Sequence, residues 1–338
     1  MLIWPHAQTD WRTRLEAAET QFAAIAAAIS RYQPVLLVCL DQAGCGRALE
    51  AISSQNGITA NFRFFIAPSN DTWARDTGPV TIIERGRPTL LNFRFNAWGN
   101  KYPATEDDAL TQNLYAQDAF GDTPLETSEL VLEGGALEFD GAGTLLATRH
   151  CLLNPNRNPE IAKSAVLSKL EKLLGVKRFL WLDHGGLEGD DTDGHIDTLA
   201  RFCDTRTIAY QACDETGYSH YADLQAMAQQ LAQLRDPENA PYSLKPLPWP
   251  APQYDEAGQR LPASYANFLI INGAVLVPTY NDPADDTACS ILAECFPGRD
   301  IVAIDCCTLV RQFGSLHCVT MQIPAGVLPE ETVIHDKR

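Results

Sequence analysis

Hydrophobic and polar positions alternate along this chain in a recurring order. From residue 9 the stretch LEAAETQFAAIAAAI carries strong helix formers and an apolar stripe, with Thr9 or Asp10 able to cap it, so a helix is predicted over 9–32. The apolar run VLLVCL predicts a buried strand, the segment after Asp41 a helix, and NFRFFIA a second strand. Beyond these, β-rich runs come in pairs. VTIIE and TLLNFRF precede a polar helical stretch around 105–118. Residues 129–139 and TLLATRHCLL precede a helix over 159–174 and the strand RFLWL. HIDTLARF and TIAYQA precede a helix over 219–235. NFLIING and AVLVPTY precede a helix over 284–295 and the strand DIVAID.

Paired strands, each pair followed by a helix and a further strand, predict an α/β protein built of ββαβ-type units. The repeat lies in the order of elements and not in sequence identity. Residues 236–263, rich in proline and polar residues, read as a long loop over one continuous fold and not as a linker. A single catalytic domain over 1–338 is therefore expected.

Charge and cysteine content narrow the function classes. Asp and Glu number 43 against 26 Lys and Arg, a net charge of −17 that repels phosphate backbones and anionic membranes. No basic run offsets it, so nucleic-acid and membrane partners are not expected; the charge is a weak pointer to a cationic small molecule, since many acidic proteins owe theirs to solubility alone. The oligomeric state is left open, with a homo-oligomer allowed. The ten cysteines form no C-x-x-C pair, and most lie in apolar runs where a free thiol packs as a small hydrophobe. With no basic stretch and apolar core of signal-peptide length at MLIWPHAQTDW, a reducing, cytoplasmic location is expected.

Four segments set polar residues beside apolar strands. In SNDTWARDTGP, Trp73 and Asp76 fall between two strands, with Gly78-Pro79 as a turn. An aromatic face beside a carboxylate suits a flat cation, although from this segment alone Trp73 as a core plug in an Asp-rich turn is the favoured reading. In LVLEGGALEFD, Glu133 ends an apolar strand before Gly134-Gly135, which allow close backbone approach. In HGGLEGDDTDGHIDTLARF, His195 and Asp197 share a face if HIDTLARF is a strand. The aspartates before them fail the calcium-loop spacing, since Gly189 and Ala200 would occupy ligand positions, and no second His or Cys stands at a zinc spacing. No metal and no organic cofactor are expected. In FGSLHCVTMQIPAG, Cys318 starts a predicted final strand, where His317 would point away from it, leaving His195 as the partner base.

Taken in order, these segments resemble the agmatine deiminase family of the guanidino-group-modifying (pentein) superfamily, and are similar through the same motifs to bacterial peptidylarginine deiminases. The likeness runs from WPHAQTDW through DTWARDTGP, EGGALEFDGAGTLLATRHCLLNPNRNP, GDDTDGHID and PASYANFLIINGAVLVP to GSLHCVTMQIP. It implies a five-bladed pseudo-symmetric α/β propeller. It also implies Cys318 as nucleophile, His195 as general acid and base, Asp76 and Asp197 as carboxylates gripping the guanidinium, and Glu133 as the partner of His195. Trp73 falls in the substrate channel, and Asp191, four residues before His195, falls where relatives set an acidic group near the substrate's distal end. The implied reaction is agmatine plus water giving N-carbamoylputrescine and ammonia, part of putrescine biosynthesis, through a thiouronium on Cys318. Two departures bear on the substrate: Met1-Leu2 stands where relatives carry a PAEW-type segment, and Asp191 stands where Glu is common. The nucleophile loop, Phe313-Gly314-Ser315, also lacks a second glycine. Deimination of peptidyl-arginine or another alkylguanidine is the alternative, and a non-catalytic guanidine-binding protein a third reading.

Overall fold

The paired runs become five three-stranded sheets in a computed structural model that describes residues 1–329; the last nine residues of the expected 1–338 domain lie outside the described ones. The first sheet joins β1 (Leu2–Ile3), β2 (Val35–Cys39) and β3 (Phe62–Ile66), all parallel. The second joins β4 (Val80–Glu84), β5 (Arg87–Arg94) and β6 (Leu125–Val131). The third joins β7 (Glu138–Phe139), β8 (Thr144–Thr148) and β9 (Arg178–Leu182). The fourth joins β10 (Ala200–Phe202), β11 (Thr207–Gln211) and β12 (Ser243–Leu247). A small hairpin, β13 (Gln253–Tyr254) with β14 (Arg260–Leu261), precedes the fifth sheet of β15 (Leu269–Ile271), β16 (Ala274–Thr279) and β17 (Asp300–Asp305).

In the last four sheets the middle strand pairs antiparallel with its predecessor and parallel with its successor, as in Val80↔Leu91 and Leu90↔Leu125. A parallel neighbour requires a crossover, and the helices Thr105–Tyr115, Lys163–Leu174, Tyr221–Gln233 and Asp285–Cys295 supply them. Helices Leu15–Ser30 and Gln42–Ser54 do the same for the first sheet. The middle strands read as continuous apolar runs because both faces are covered: β2 and β8 are buried throughout, and β16 at all but its last residue. Burying each such Val or Leu stabilises by about 1.5–3 kcal/mol, so Leu37→Ala should cost about 2–5 kcal/mol. No described helix is long and apolar enough to cross a membrane.

Several expected elements differ. The helix predicted over 9–32 opens as a 3-10 turn, Asp10–Arg14, capped by the Thr9 side chain, before the α-helix proper. The expected loop over 236–263 contains β12 and the β13–β14 hairpin. Its prolines hid a strand, yet β12 pairs on one side only, and an edge tolerates Pro246. HIDTLARF is not one strand: His195 leads into a 3-10 turn, Ile196–Thr198, and only Ala200–Phe202 are extended. Nor is Cys318 at the start of a strand. It lies in a turn, followed by a single antiparallel bridge between Thr320 and Leu2.

Candidate active site

The residues singled out above lie on turns between sheets, where backbone freed from ladders can aim side chains inward. Asp76 sits in a short helical turn, Ala74–Thr77. Its Oδ1 accepts from Gly135 N at 2.9 Å, its Oδ2 accepts from Trp98 Nε1 at 3.1 Å, and His195 Nδ1 lies 3.8 Å from Oδ1. Gly135 must be glycine because a Cβ there would overlap both His195 and Asp76. Thus Gly134-Gly135 serves the close approach its sequence suggested.

Asp197 and Cys318 share a second cluster. Asp197 Oδ2 accepts from His317 Nδ1 at 2.7 Å and lies 3.8 Å from Cys318 Sγ. His317 therefore does not point away, as a strand would require; the turn swings it onto Asp197. Asn267, just before β15, links the parts. Its Oδ1 accepts from His317 N at 2.9 Å, and its Nδ2 donates to Asp197 O at 3.2 Å and approaches Cys318 Sγ at 3.3 Å. Two buried polar atoms here have no partner among the described residues: Asp197 Oδ1 and His195 Nε2. Buried groups are normally satisfied, so Asp197 Oδ1, beside the Cys318 sulfur, marks where a ligand's own donor belongs.

The electrostatics follow from burial and from this crowding of carboxylates. Burial pushes the Cys318 thiol well above its ordinary range, and Asp197 and Asp76 push it further, against the Ser315 backbone and Asn267. Burial alone would lower His195, but Asp76, Cys151 and Asp197 together raise it well above the usual histidine range. Asp197 is raised to about 6, by burial first and by Asp76. His317 is held far below its usual value by burial, Arg201 and Arg75, so it stays neutral and donates its Nδ1 proton to Asp197.

Glu133 stands behind His195. A carboxylate oxygen of Glu133, Cys151 Sγ and a ring nitrogen of His195 lie within 4.8 Å of one another, all buried. Glu133 is bonded not to His195 but to Arg157, whose Nε donates to Oε1 at 2.6 Å. With a guanidinium on its carboxylate, this trio is a hydrogen-bonding cluster and not a ligand set.

A cavity of about 270 Å³ opens onto this centre. Asp76, His195 and Cys318 line its inner end, and Trp73 and Trp98 its walls, their rings 6.5 Å apart and nearly perpendicular. Trp98 is carried by a turn in which Ala97, Trp98, Gly99 and Asn100 all have positive φ (49°, 54°, 96° and 63°). A run of left-handed residues costs L-amino acids about 1–2 kcal/mol apiece and persists only where the surroundings impose it. Opposite, Gly314 packs so tightly under Trp73 that any side chain would strike the ring. Toward solvent the lining is acidic: Asp10, Asp71, Asp107, Asp190 and Asp191 join Asp76, with no Lys or Arg among the lining residues. Asp191 Oδ2 accepts from Tyr102 OH at 2.9 Å. Burial and neighbouring carboxylates raise Asp71 to about 8, while burial raises Asp107 to about 7.

A thiol, an imidazole and two carboxylates around an acidic, aromatic-walled pocket define an enzyme that hydrolyses guanidino groups. The chain belongs to the family of Porphyromonas-type peptidyl-arginine deiminases, whose profile matches residues 1–324. It is 32% identical to the agmatine deiminase of Stutzerimonas stutzeri (strain A1501), covering 96% of this chain and 92% of that one. A solved Porphyromonas gingivalis protein, provisionally named an arginine deiminase, is 49% identical with a TM-score of 0.91 over 97% of this chain and 96% of its own. A cysteine-to-serine variant of C. jejuni agmatine deiminase, solved with substrate bound, is 38% identical with a TM-score of 0.86, covering 94% and 91% of the two chains.

Of the residues expected in the site, Asp76, His195, Asp197 and Cys318 meet at its inner end, Trp73 and Asp191 line the cavity, and Glu133 lies behind His195. Asn267, His317, Trp98, Cys151 and Arg157 were missed. Asn267 and Arg157 lie in the polar motifs PASYANF and NPNRNP, which could have flagged them; Trp98 carried no signal.

Proposed function

We propose that this chain converts agmatine and water to N-carbamoylputrescine and ammonia in the cytoplasm, in one catalytic domain whose five sheets form the blades of an α/β propeller. The observation that carries the substrate is the pocket's charge: carboxylates at its inner end, and Asp10, Asp190 and Asp191, with no Lys or Arg, on the lining that leads out. A guanidinium is permanently protonated, and a substrate with a second cation at its far end matches both ends of the cavity. Free arginine would present its carboxylate to that same acidic wall.

The chemistry follows from the four inner groups. A guanidinium between Asp76 and Asp197 supplies the proton that the orphaned Asp197 Oδ1 lacks and offsets the two charges that hold Cys318 as a thiol. Substrate thereby favours the thiolate it needs. The thiol loses its proton to solvent as substrate binds; the sulfur then bonds to the guanidinium carbon, and the C–N bond breaks as His195 gives its proton to departing ammonia, leaving a thiouronium on Cys318. His195, now neutral, takes a proton from water as its oxygen adds to the same carbon. The C–S bond then breaks as the hydroxyl proton of the adduct passes to sulfur, restoring the thiol and releasing the urea-type product. That the C. jejuni relative holds substrate as a cysteine-to-serine variant supports this role for the thiol.

Ammonia release is to be measured with agmatine, free arginine, arginyl peptides and uncharged alkylguanidines. Agmatine should give the highest kcat/KM. A higher value for arginyl peptides would replace this substrate with the alternative, and release from none of them would end the deiminase reading of the site.

A further inference from the structure

The family's chemistry uses Glu133 and His195, but Glu133 is itself held. Arg157, almost wholly buried, donates Nε to Glu133 Oε1 at 2.6 Å, NH1 to Asp193 Oδ2 at 2.6 Å and NH2 to Thr192 O at 2.9 Å. Asp193, in left-handed backbone with φ 67°, also accepts from Lys101 Nζ at 2.9 Å, and the same Nζ donates to Asp191 O. A line of alternating charge thus runs from the partly exposed Lys101 to the carboxylate behind His195: Lys101, Asp193, Arg157, Glu133. Thr192 locks the line to the histidine itself, since its Oγ1 accepts from His195 N at 3.1 Å.

We propose that Arg157 is a positioning residue for His195: it keeps the Glu133 carboxylate ionised and in place, and that charge adds to those of Asp76 and Asp197 in keeping the imidazole protonated for departing ammonia. The role rests on the deiminase reading above. Alternatives for the arginine do not fit the geometry. It does not line the cavity, so it cannot meet substrate, and a purely structural anchor would not require its Nε on a carboxylate that is itself beside the imidazole. Burial raises Glu133, while Arg157 and His195 oppose the shift. Without the guanidinium, this carboxyl would take up a proton and its charge would vanish. The other charged or titratable groups facing His195 stay in place: Asp76 from its helical turn, Asp197 from the 3-10 turn, Cys151 after β8, and His317 and Cys318 in the final loop.

The test reads His195 directly, by NMR titration of protein carrying 15N-labelled histidine, with the signal assigned through His195→Gln. Arg157→Gln should move the His195 titration down by about one pH unit or more, and Arg157→Lys by less. Adding Arg157→Gln to Glu133→Gln should move it no further than Glu133→Gln alone, because both act through one charge. A folded Arg157→Gln protein whose His195 titrates as in the wild type would overturn the proposal. If that variant does not fold, an unmoved His195 titration in Glu133→Gln would do the same. The titration is independent of which guanidine is hydrolysed, so a wrong substrate and a wrong role for Arg157 are told apart.

Discussion

The two ends of the pocket solve opposite problems with the same side chain. At the inner end, Asp76 and Asp197 are buried, bound by Gly135, Trp98 and His317, and set within 4 Å of the histidine or the thiol. At the mouth, Asp10, Asp190 and Asp191 are wetter, and Asp191 leans on a tyrosine hydroxyl. A buried carboxylate fixes geometry and shifts its neighbours' protons; a half-exposed one contributes attraction with little precision. On the function proposed above, the contrast implies a reaction set rigidly and a substrate tail whose length and charge are read loosely. Variation at the mouth can change substrate without disturbing chemistry.

That contrast can be broken at either end. Cys318→Ser should lower kcat by about a thousandfold or more with the fold intact, since a hydroxyl is a far weaker nucleophile. Mass spectrometry of wild type quenched in turnover should show a substrate-derived adduct on Cys318, and appreciable activity in a verified serine variant would sink the mechanism. Next comes Asp197→Asn, which leaves His317 and the substrate without a buried charge; kcat/KM should fall about a hundredfold, equivalent to ~3 kcal/mol. At the mouth, Asp191→Asn should raise KM for agmatine about thirtyfold, ~2 kcal/mol, with kcat changed less. An uncharged alkylguanidine should barely notice that change, and equal losses on both would make Asp191 a structural residue.

Acid should separate activity from stability. With Asp197 raised to about 6 in the free enzyme, kcat/KM should fall as pH drops below that value, because the carboxylate takes up a proton. Stability should move the other way. Asp197, Asp107 and Asp71, raised to about 6, 7 and 8, bind protons more tightly folded than unfolded. The fold is then most favoured at low pH by these groups, and that stabilisation is lost as pH rises from about 4 to about 8. The buried Met1 amine, lowered to about 5, and His317, held low by burial, act in the opposite sense, so the carboxyl contribution is read by difference: the Tm of Asp71→Asn should gain on that of wild type as pH rises from 5 to 8, and an unchanged difference would contradict it. The smallest expected effect is none: chelators should leave turnover unchanged, and activity lost with removal of a stoichiometric ion would reverse that.

Much of this was legible in the sequence where residue type alone decides. The apolar runs of β2, β8 and β16 announced buried strands, and the glycines at 134 and 135 announced close approach. Spacing arguments did worse, because they assume regular backbone. His195 and Asp197 were expected on one face of a strand, but a 3-10 turn sends Asp197 toward His317 and Cys318. Pro246 and its neighbours concealed β12, whose existence depends on β11 beside it. Arg157 and Asn267 work through partners far along the chain, and a local reading cannot see pairs that only the fold creates.

One contact reaches across nearly the whole chain. Leu2 bridges to Thr320, Met321 N donates to Met1 O at 3.1 Å, and Arg75 N donates to Cys318 O at 3.1 Å. The loop bearing the thiol is therefore held by the first strand and by the Asp76 turn. The entropy of closing so long a loop is borne only once the intervening sheets have formed. Turnover then reports on completed folding: an intermediate lacking this closure could show strands and helices in full, bury most of its core, and still have no aligned sulfur.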